Sequence, residues 1–521
     1  MDNLPNELLV LILGYCNQYD RAKCYQTNTF YHVRKILPIQ ICEIENYSYD
    51  YLNDESVWFP RDKMIIIPYY VNKVNFAESF NQSFYDLSPG LKTINLRHRF
   101  NRALCLYNQK WPITLKHILL GYDFNQKLDY LPQTLISLKL LFDYDLPFSN
   151  LPNSLRYLEL SHKFNQPIIN LPTSLTHLIF GSYFNQKLEN LPASLTHLIL
   201  GRSFNKPLIN LPNSLTHLFL GNDFNQAFLV LPKSLTHIKF GKWFKQSLPV
   251  LPASLTHITC GFNLDKLFDN FPKSVTHIVL TSDSNYSLIN LPITHVTFTL
   301  TYNYPLNNLP KSLTHIILGQ DFNQSVDNLS EIRDGLPTSL THIKFGSNFN
   351  YPIDNLPASI TNIVLGFNFN RPIKKLPASL THITFGYKFN HSLDNFPLSL
   401  IYIKFGHRFN QLLYNLPETV TYIKFGDNYN RLTEQQLPSF LKYLTFGDYF
   451  NVPLGILPDL YQITFGDNFN QSINNLPETL THITFGKNFG QSISGLPKSV
   501  RNIKISKKYI IPKFVTNIVL F

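Results

Sequence analysis

From Trp111 nearly to the C-terminus, apolar residues return to the same places every twenty residues. Residues 171–190 read LPTSLTHLIFGSYFNQKLEN, residues 191–210 LPASLTHLILGRSFNKPLIN, and residues 211–230 LPNSLTHLFLGNDFNQAFLV. In the turn that opens at Leu376 the apolar set is Leu376, Leu380, Ile383, Phe385, Phe389 and Leu393. Across THITF (381–385) the alternation has period two, which predicts a strand with Ile383 and Phe385 inward and His382 and Thr384 outward. Gly386 ends that strand where a side chain would obstruct the turn or a positive φ is required. Pro377 marks the opposite corner, since it cannot join a central ladder. Asn390 and Asn395 fall at bends, where a short amide can satisfy backbone groups, and stacking would set both into ladders.

Twenty residues leave room for a strand and two irregular sides, but not for a two-turn helix with its loops. The period therefore predicts a mainly β, parallel solenoid of about twenty 20-residue turns. At about 4.8 Å per strand such a stack is on the order of 100 Å long, and each turn needs its neighbours to be stable. The pattern also explains the composition, because twenty of the 34 prolines sit at the second place of a turn and most of the 21 glycines at the eleventh.

Two outward places carry the candidate chemistry. The seventh is mostly histidine, with His177, His197, His217, His237, His257 and His277 one turn apart, and Tyr157, Tyr402, Tyr422 and Tyr443 replacing it elsewhere. Stacked imidazoles suggest a metal site or a pH switch. The exchange with tyrosine favours a structural ladder of planar rings. The ninth place varies freely, with Lys139, Glu159, Ile179, Phe219, Lys239, Lys344, Lys404 and Lys424. A regular scaffold presenting a variable row is how repeat proteins make binding surfaces, so Lys139, Glu159, Phe219, Lys239, Lys344, Lys404 and Lys424 are the expected target-binding face. Lys404 and Lys424, on adjacent turns, suit an acidic epitope.

The exceptions to the pattern are informative. Residues 71–81 and 91–101 carry it in worn form. Residues 291–308 form a shortened turn in which His295 takes the histidine place. LSEIRDG (329–335) is an insertion, expected to project from one face, either contributing to binding specificity or standing as a tolerated surface insertion. The chain closes on FVTNIVLF, read as a last, capping strand.

The first 68 residues differ. Leu4-Pro5-Asn6-Glu7 opens a helix with Leu8, Leu9, Leu11, Ile12, Leu13 and Tyr15 as a broad apolar surface. Asp20 and Asn28 cap two more short helices. Residues 40–68 read as a connector and first cap of the array, which then fills 69–521.

LPNELLVLILGYC…DRAKCYQTNTFYHVRKIL resembles the F-box motif in its Leu-Pro-x-Glu opening, Leu/Ile-rich first helix and aromatic close. The closing Thr27-Asn28-Thr29-Phe30-Tyr31 departs from the motif's usual Val-Ser/Cys-x-x-Trp. The resemblance implies a small α-helical domain over 1–39 that docks on the Skp-type adaptor of a cullin ubiquitin ligase through Leu4, Pro5, Leu8, Leu9, Ile12 and Leu13. The repeat spacing Leu-x-x-Leu/Ile-x-Phe/Leu resembles leucine-rich repeats, and the whole unit, SLTHL-x-F-G-x-x-F-N-Q, resembles FNIP repeats. The combination is of the type found in social amoebae and giant amoeba-infecting viruses. Together they imply a substrate-recognition adaptor of a cullin–RING (SCF-type) ubiquitin ligase, with a target protein held by the repeats. The alternative is a non-catalytic scaffold whose N-terminal helices only cap the solenoid.

Charge and cysteine content narrow the partners. The net charge of +11 is spread along the array without a basic run, which argues against nucleic acid. Five cysteines show neither metal spacing nor a disulfide framework, pointing to a reducing compartment: cytoplasm or nucleus, or the host cytosol for a viral chain. No stretch is long and apolar enough to suggest a membrane partner. No phosphate-cradling loop, HExxH or nucleophile elbow occurs, so neither an enzyme, a cofactor nor a metal is expected.

Overall fold

The computed structural model describes residues 72–520 apart from 77–79, 82–86, 88, 105–110, 248–249, 261–270, 282–286, 307–308, 327–334, 432–436 and 507–511. The F-box-like and connector segments, with Leu4, Pro5, Leu8, Leu9, Ile12 and Leu13, lie outside the described residues, as does nearly all of the 329–335 insertion. The chain divides into two compact units, Met1–Leu255 and Thr256–Phe521.

In the first unit the described residues form nine strands of three or four residues, from Lys73–Asn75 to His237–Lys239, each parallel to the next. In the second, fourteen such strands run from His257–Cys260 to Asn517–Leu520. No helix occurs among the described residues. The array is thus a mainly β, parallel solenoid with one strand per turn, as the period predicts.

Each turn has two tight corners. At the first, the amide of the fifth-place residue donates to the proline carbonyl, as in Leu380 to Pro377 at 3.1 Å. At the second, the Phe389 amide donates to the Gly386 carbonyl at 3.3 Å. Of the two reasons offered for glycine there, close approach is the operative one, since no glycine among the described residues has positive φ. A Cβ on Gly386 would stand 1.6 Å from the carbonyl oxygen of Gly366, one turn below.

The predicted core is the observed one. Leu376, Leu380, Ile383, Phe385, Phe389 and Leu393 are all buried, while His382 and Thr384 face outward. Each phenylalanine of this burial class contributes roughly 1.5–3 kcal/mol. The fourteenth-place rings stack on one another, with Phe184–Phe204 at 6.0 Å and Phe204–Phe224 at 6.1 Å.

The asparagine ladder belongs to the fifteenth place. Asn390 Oδ1 accepts the Asn410 amide at 2.9 Å, and the Asn390 amide donates to Asn370 Oδ1 at 3.1 Å. Asp145 substitutes without loss, accepting the Asn165 amide at 2.8 Å. The twentieth place works differently. Asn170, Asn190, Asn210 and Asn415 take left-handed backbone with φ of 59°, 54°, 55° and 55°, a conformation that asparagine tolerates and that turns the chain into the next Leu-Pro. The final strand, Asn517–Leu520, pairs with Asn502–Ile505, but all four of its residues are exposed.

Candidate functional site

Strand alternation places the seventh and ninth residues on one outward face, so register determines which side chains meet there. His277, His295 and His315 lie in direct register. The shortened turn therefore keeps its histidine in place, and its rings stack at 4.0 and 4.1 Å. In the first unit His177, His197, His217 and His237 stack at 4.1–4.2 Å. Tyrosine joins the same column, as in His382–Tyr402 at 5.5 Å and Tyr402–Tyr422 at 4.5 Å.

Where a threonine precedes the histidine, it fixes the tautomer. Thr176 Oγ1 donates to the Arg156 carbonyl at 2.9 Å and lies 2.9 Å from Nδ1 of His177. A carbonyl only accepts and a hydroxyl has one proton, so His177 Nδ1 carries the hydrogen of the second contact and Nε2 is left unprotonated. Thr196–His197 and Thr314–His315 repeat the arrangement. Burial, followed by neighbouring imidazole charge, lowers the pKa of His197 and of His315 to about 4. Burial likewise lowers the pKa of His177, His277, His295 and His342, so these six rungs are neutral at neutral pH.

Parallel rings hold their Nε2 lone pairs side by side, whereas two nitrogens on one tetrahedral ion converge to about 3.4 Å. Among the described residues no three His, Cys, Asp or Glu side chains gather to hold a metal ion. Cys260 is a free, buried thiol whose pKa burial raises.

The ninth-place residues fall into separate groups. Lys139 and Glu159, on adjacent strands, form an ion pair at 3.1 Å, and Glu159 also accepts the Tyr157 hydroxyl at 2.8 Å. Phe219 is half-buried and aligned with the exposed Lys239. Lys344 is exposed, three strands before Lys404. Lys404 and Lys424 are in direct register and have no carboxylate partner among the described residues.

Two further features escaped the sequence pattern. At the glycine corner Phe367, Tyr387 and His407 stack at 4.5 Å each, and His407 Nδ1 lies 2.6 Å from Asp427 Oδ2. Just before the lysine-bearing strands, Ile401, Glu418, Thr419, Thr421 and Phe440 line a shallow depression. The twelfth-place run of aromatic residues was a legible signal for the first. Nothing in the repeat consensus marks the second, because Phe440 stands where most turns have serine or threonine.

A parallel solenoid with one short strand per turn and a row of variable outward side chains defines a repeat scaffold of leucine-rich-repeat type. The FNIP repeat matches at residues 142–183, 184–223, 224–263, 328–356, 353–388, 389–428, 414–447 and 469–508, and the chain belongs to that family. Among solved structures it is similar to CroV588, described as a novel circular LRR protein, with 36% identity over 88% of this chain and 77% of that one, and a TM-score of 0.61. YopM from Yersinia enterocolitica WA-314 matches at 16% identity over 82% of this chain and 91% of that one, with a TM-score of 0.36. No curated protein matches. Among the described residues no helix is long and apolar enough to cross a membrane.

Proposed function

We propose that this protein is the substrate-recognition adaptor of a cullin–RING (SCF-type) ubiquitin ligase. The observation that carries the reading is the strand face: a scaffold of fixed columns presenting one variable column, to which an F-box-like segment is joined at 1–39. Leu4, Pro5, Leu8, Leu9, Ile12 and Leu13 would hold the Skp-type adaptor, and the ninth-place side chains the target. The chain performs no chemistry itself. It raises the effective concentration of target lysines at a ubiquitin-charged partner, so proximity is the mechanism.

The test is co-purification of the full-length chain with a Skp-type adaptor, wild type beside Leu8→Ala/Ile12→Ala. Capture by the wild type and loss in a variant with unchanged circular dichroism is the expected result. Failure of the folded wild type to capture the adaptor overturns the ligase reading and leaves a scaffold whose N-terminal segment caps the solenoid.

A further inference from the structure

We propose that the strands Tyr402–Lys404, Tyr422–Lys424 and Tyr443–Thr445, with the corner residues just before them, bind an extended acidic peptide segment anchored by one apolar side chain. The inference rests on the reading of the strand face as the target-binding face and names the chemistry of the target there. Three independent features meet on these turns.

The first is charge. Lys404 and Lys424 stand opposite each other on strands whose backbones are about 4.8 Å apart, an arrangement that is unfavourable until an anion arrives. No carboxylate occupies the seventh or ninth place of any strand described in the second unit. Nearby acids are at the corners and engaged, as Glu418 is by the Ser439 amide at 2.7 Å and Asp427 by His407. Lys442, close by, donates to the Asp459 carbonyl at 3.1 Å. Lys404 and Lys424 are therefore the ninth-place cations of these turns, with no carboxylate partner among the described residues.

The second is the aromatic platform. Tyr402 and Tyr422 stack at 4.5 Å, two residues before the lysines and on the same face. Flat, rigid rings with a hydroxyl at the tip give contact area at low entropic cost.

The third is the apolar depression. Phe440 is 63% exposed, Leu398 81% and Ile401 40%, on the same turns and upstream of the strands. From the depression to the lysines is three to five residues along the strand direction, or roughly 10–16 Å. An extended peptide crossing the face would seat an apolar residue in the depression and set acidic groups over Lys404 and Lys424 about four residues away. A nucleic-acid strand would call for a continuous cation track, which the threonines at 384, 445 and 464 interrupt.

The experiment uses the full-length chain and a fluorescein-labelled, Gly/Ser-based twelve-residue peptide with one Phe and, four residues on, three Glu. Fluorescence anisotropy at low salt should show binding that weakens about tenfold or more with Lys404→Glu/Lys424→Glu and with Phe440→Ser. Loss of binding when the peptide's Phe becomes Ser, or its Glu become Lys, completes the expected result. Lys233→Glu/Lys311→Glu, which changes net charge equally on distant turns, should bind as wild type. Lys404→Gln/Lys424→Gln keeps the test readable if reversed charges disturb the strands.

Equal weakening by the distant pair, indifference to Phe440, or no binding by folded protein overturns the proposal. So does an oligo-dT strand that binds with the same lysine dependence and without the phenylalanine. Adaptor capture without peptide binding sinks this inference alone, and peptide binding without adaptor capture sinks only the ligase reading.

Discussion

His342 stacks on His315 at 4.0 Å, although twenty-seven residues separate their turns and twenty separate most neighbours in the ladder. The extra residues leave the strand register intact, with His315 opposite His342 and Ile316 opposite Ile343. The planar column is thus maintained through an irregular turn.

That column sets an acid limit on stability. In the fold His315 has a pKa of about 4, lowered by burial and by charge on His342, His295 and His277, while the unfolded chain titrates near 6.5. No carboxylate stands on the outward strand face beside it; His342 faces it from the next strand, and the cation on that strand, Lys344, stands opposite Ile317. The unfolded state therefore takes the proton first. The histidine contribution is complete above about pH 6.5 and is lost as pH falls toward 4. Carboxylates whose pKa is lowered, such as Asp467 through Lys487 and Glu418 through Ser439, add their loss only at and below the ordinary carboxylate range. Urea midpoints measured from pH 7 to pH 5 should fall, and His315→Asn should flatten the slope. Asn362 already occupies the same column, so the variant is expected to fold. A midpoint that holds or rises over this interval would contradict the argument.

Glycine at the eleventh place is required by space. Gly346→Ala puts a Cβ 1.6 Å from the carbonyl oxygen of Gly319, an atom that cannot move without breaking the turn below. The expected cost is about 3 kcal/mol or more, at the upper end for overpacking. At Gly490 the nearest atom is Asn470 Oδ1 at 3.2 Å, a side chain that can shift, so Gly490→Ala should stay within about 1 kcal/mol of wild type. Thermal melts of the two variants side by side decide the matter.

The phenylalanine column contains two residues that fit it poorly. Tyr144 and Tyr429 lie fully buried in the stack with hydroxyls that find no partner among the described residues, and burial raises the pKa of both. Removing an unpaired buried hydroxyl while keeping the ring should stabilise, so Tyr429→Phe is expected to gain about 1 kcal/mol. Denaturant titration measures it, and a loss of stability would show that the hydroxyl has a role.

Much of this architecture is visible in the repeat itself, because one residue type in one place recurs until its constraint is plain. The Ile383/Phe385 alternation gave the strand, and the shift of His295 in a short turn gave its register. Where one place serves two physical demands the sequence is ambiguous. Gly386 suits both a positive φ and a close contact, and only the 1.6 Å approach to Gly366 separates them. Asn390 and Asn395 look alike as letters, yet the fifteenth place bonds between turns and the twentieth bends the backbone. Of the expected binding residues, Lys139 and Glu159 prove to be each other's partners. The depression beside Phe440 depends on departures from consensus at Ile401 and Phe440, in turns on either side of an ordinary one, which a repeat pattern averages away.

The two ring columns are unequally spaced. Equivalent histidines from His277 to His342 lie 4.0–4.1 Å apart and equivalent core phenylalanines near 6 Å, so in these turns the rings are packed more closely on the strand face than in the core. Lys404 and Lys424 stand in direct register on the strand face, so an anion bridging them would offset a repulsion between two successive turns with one contact.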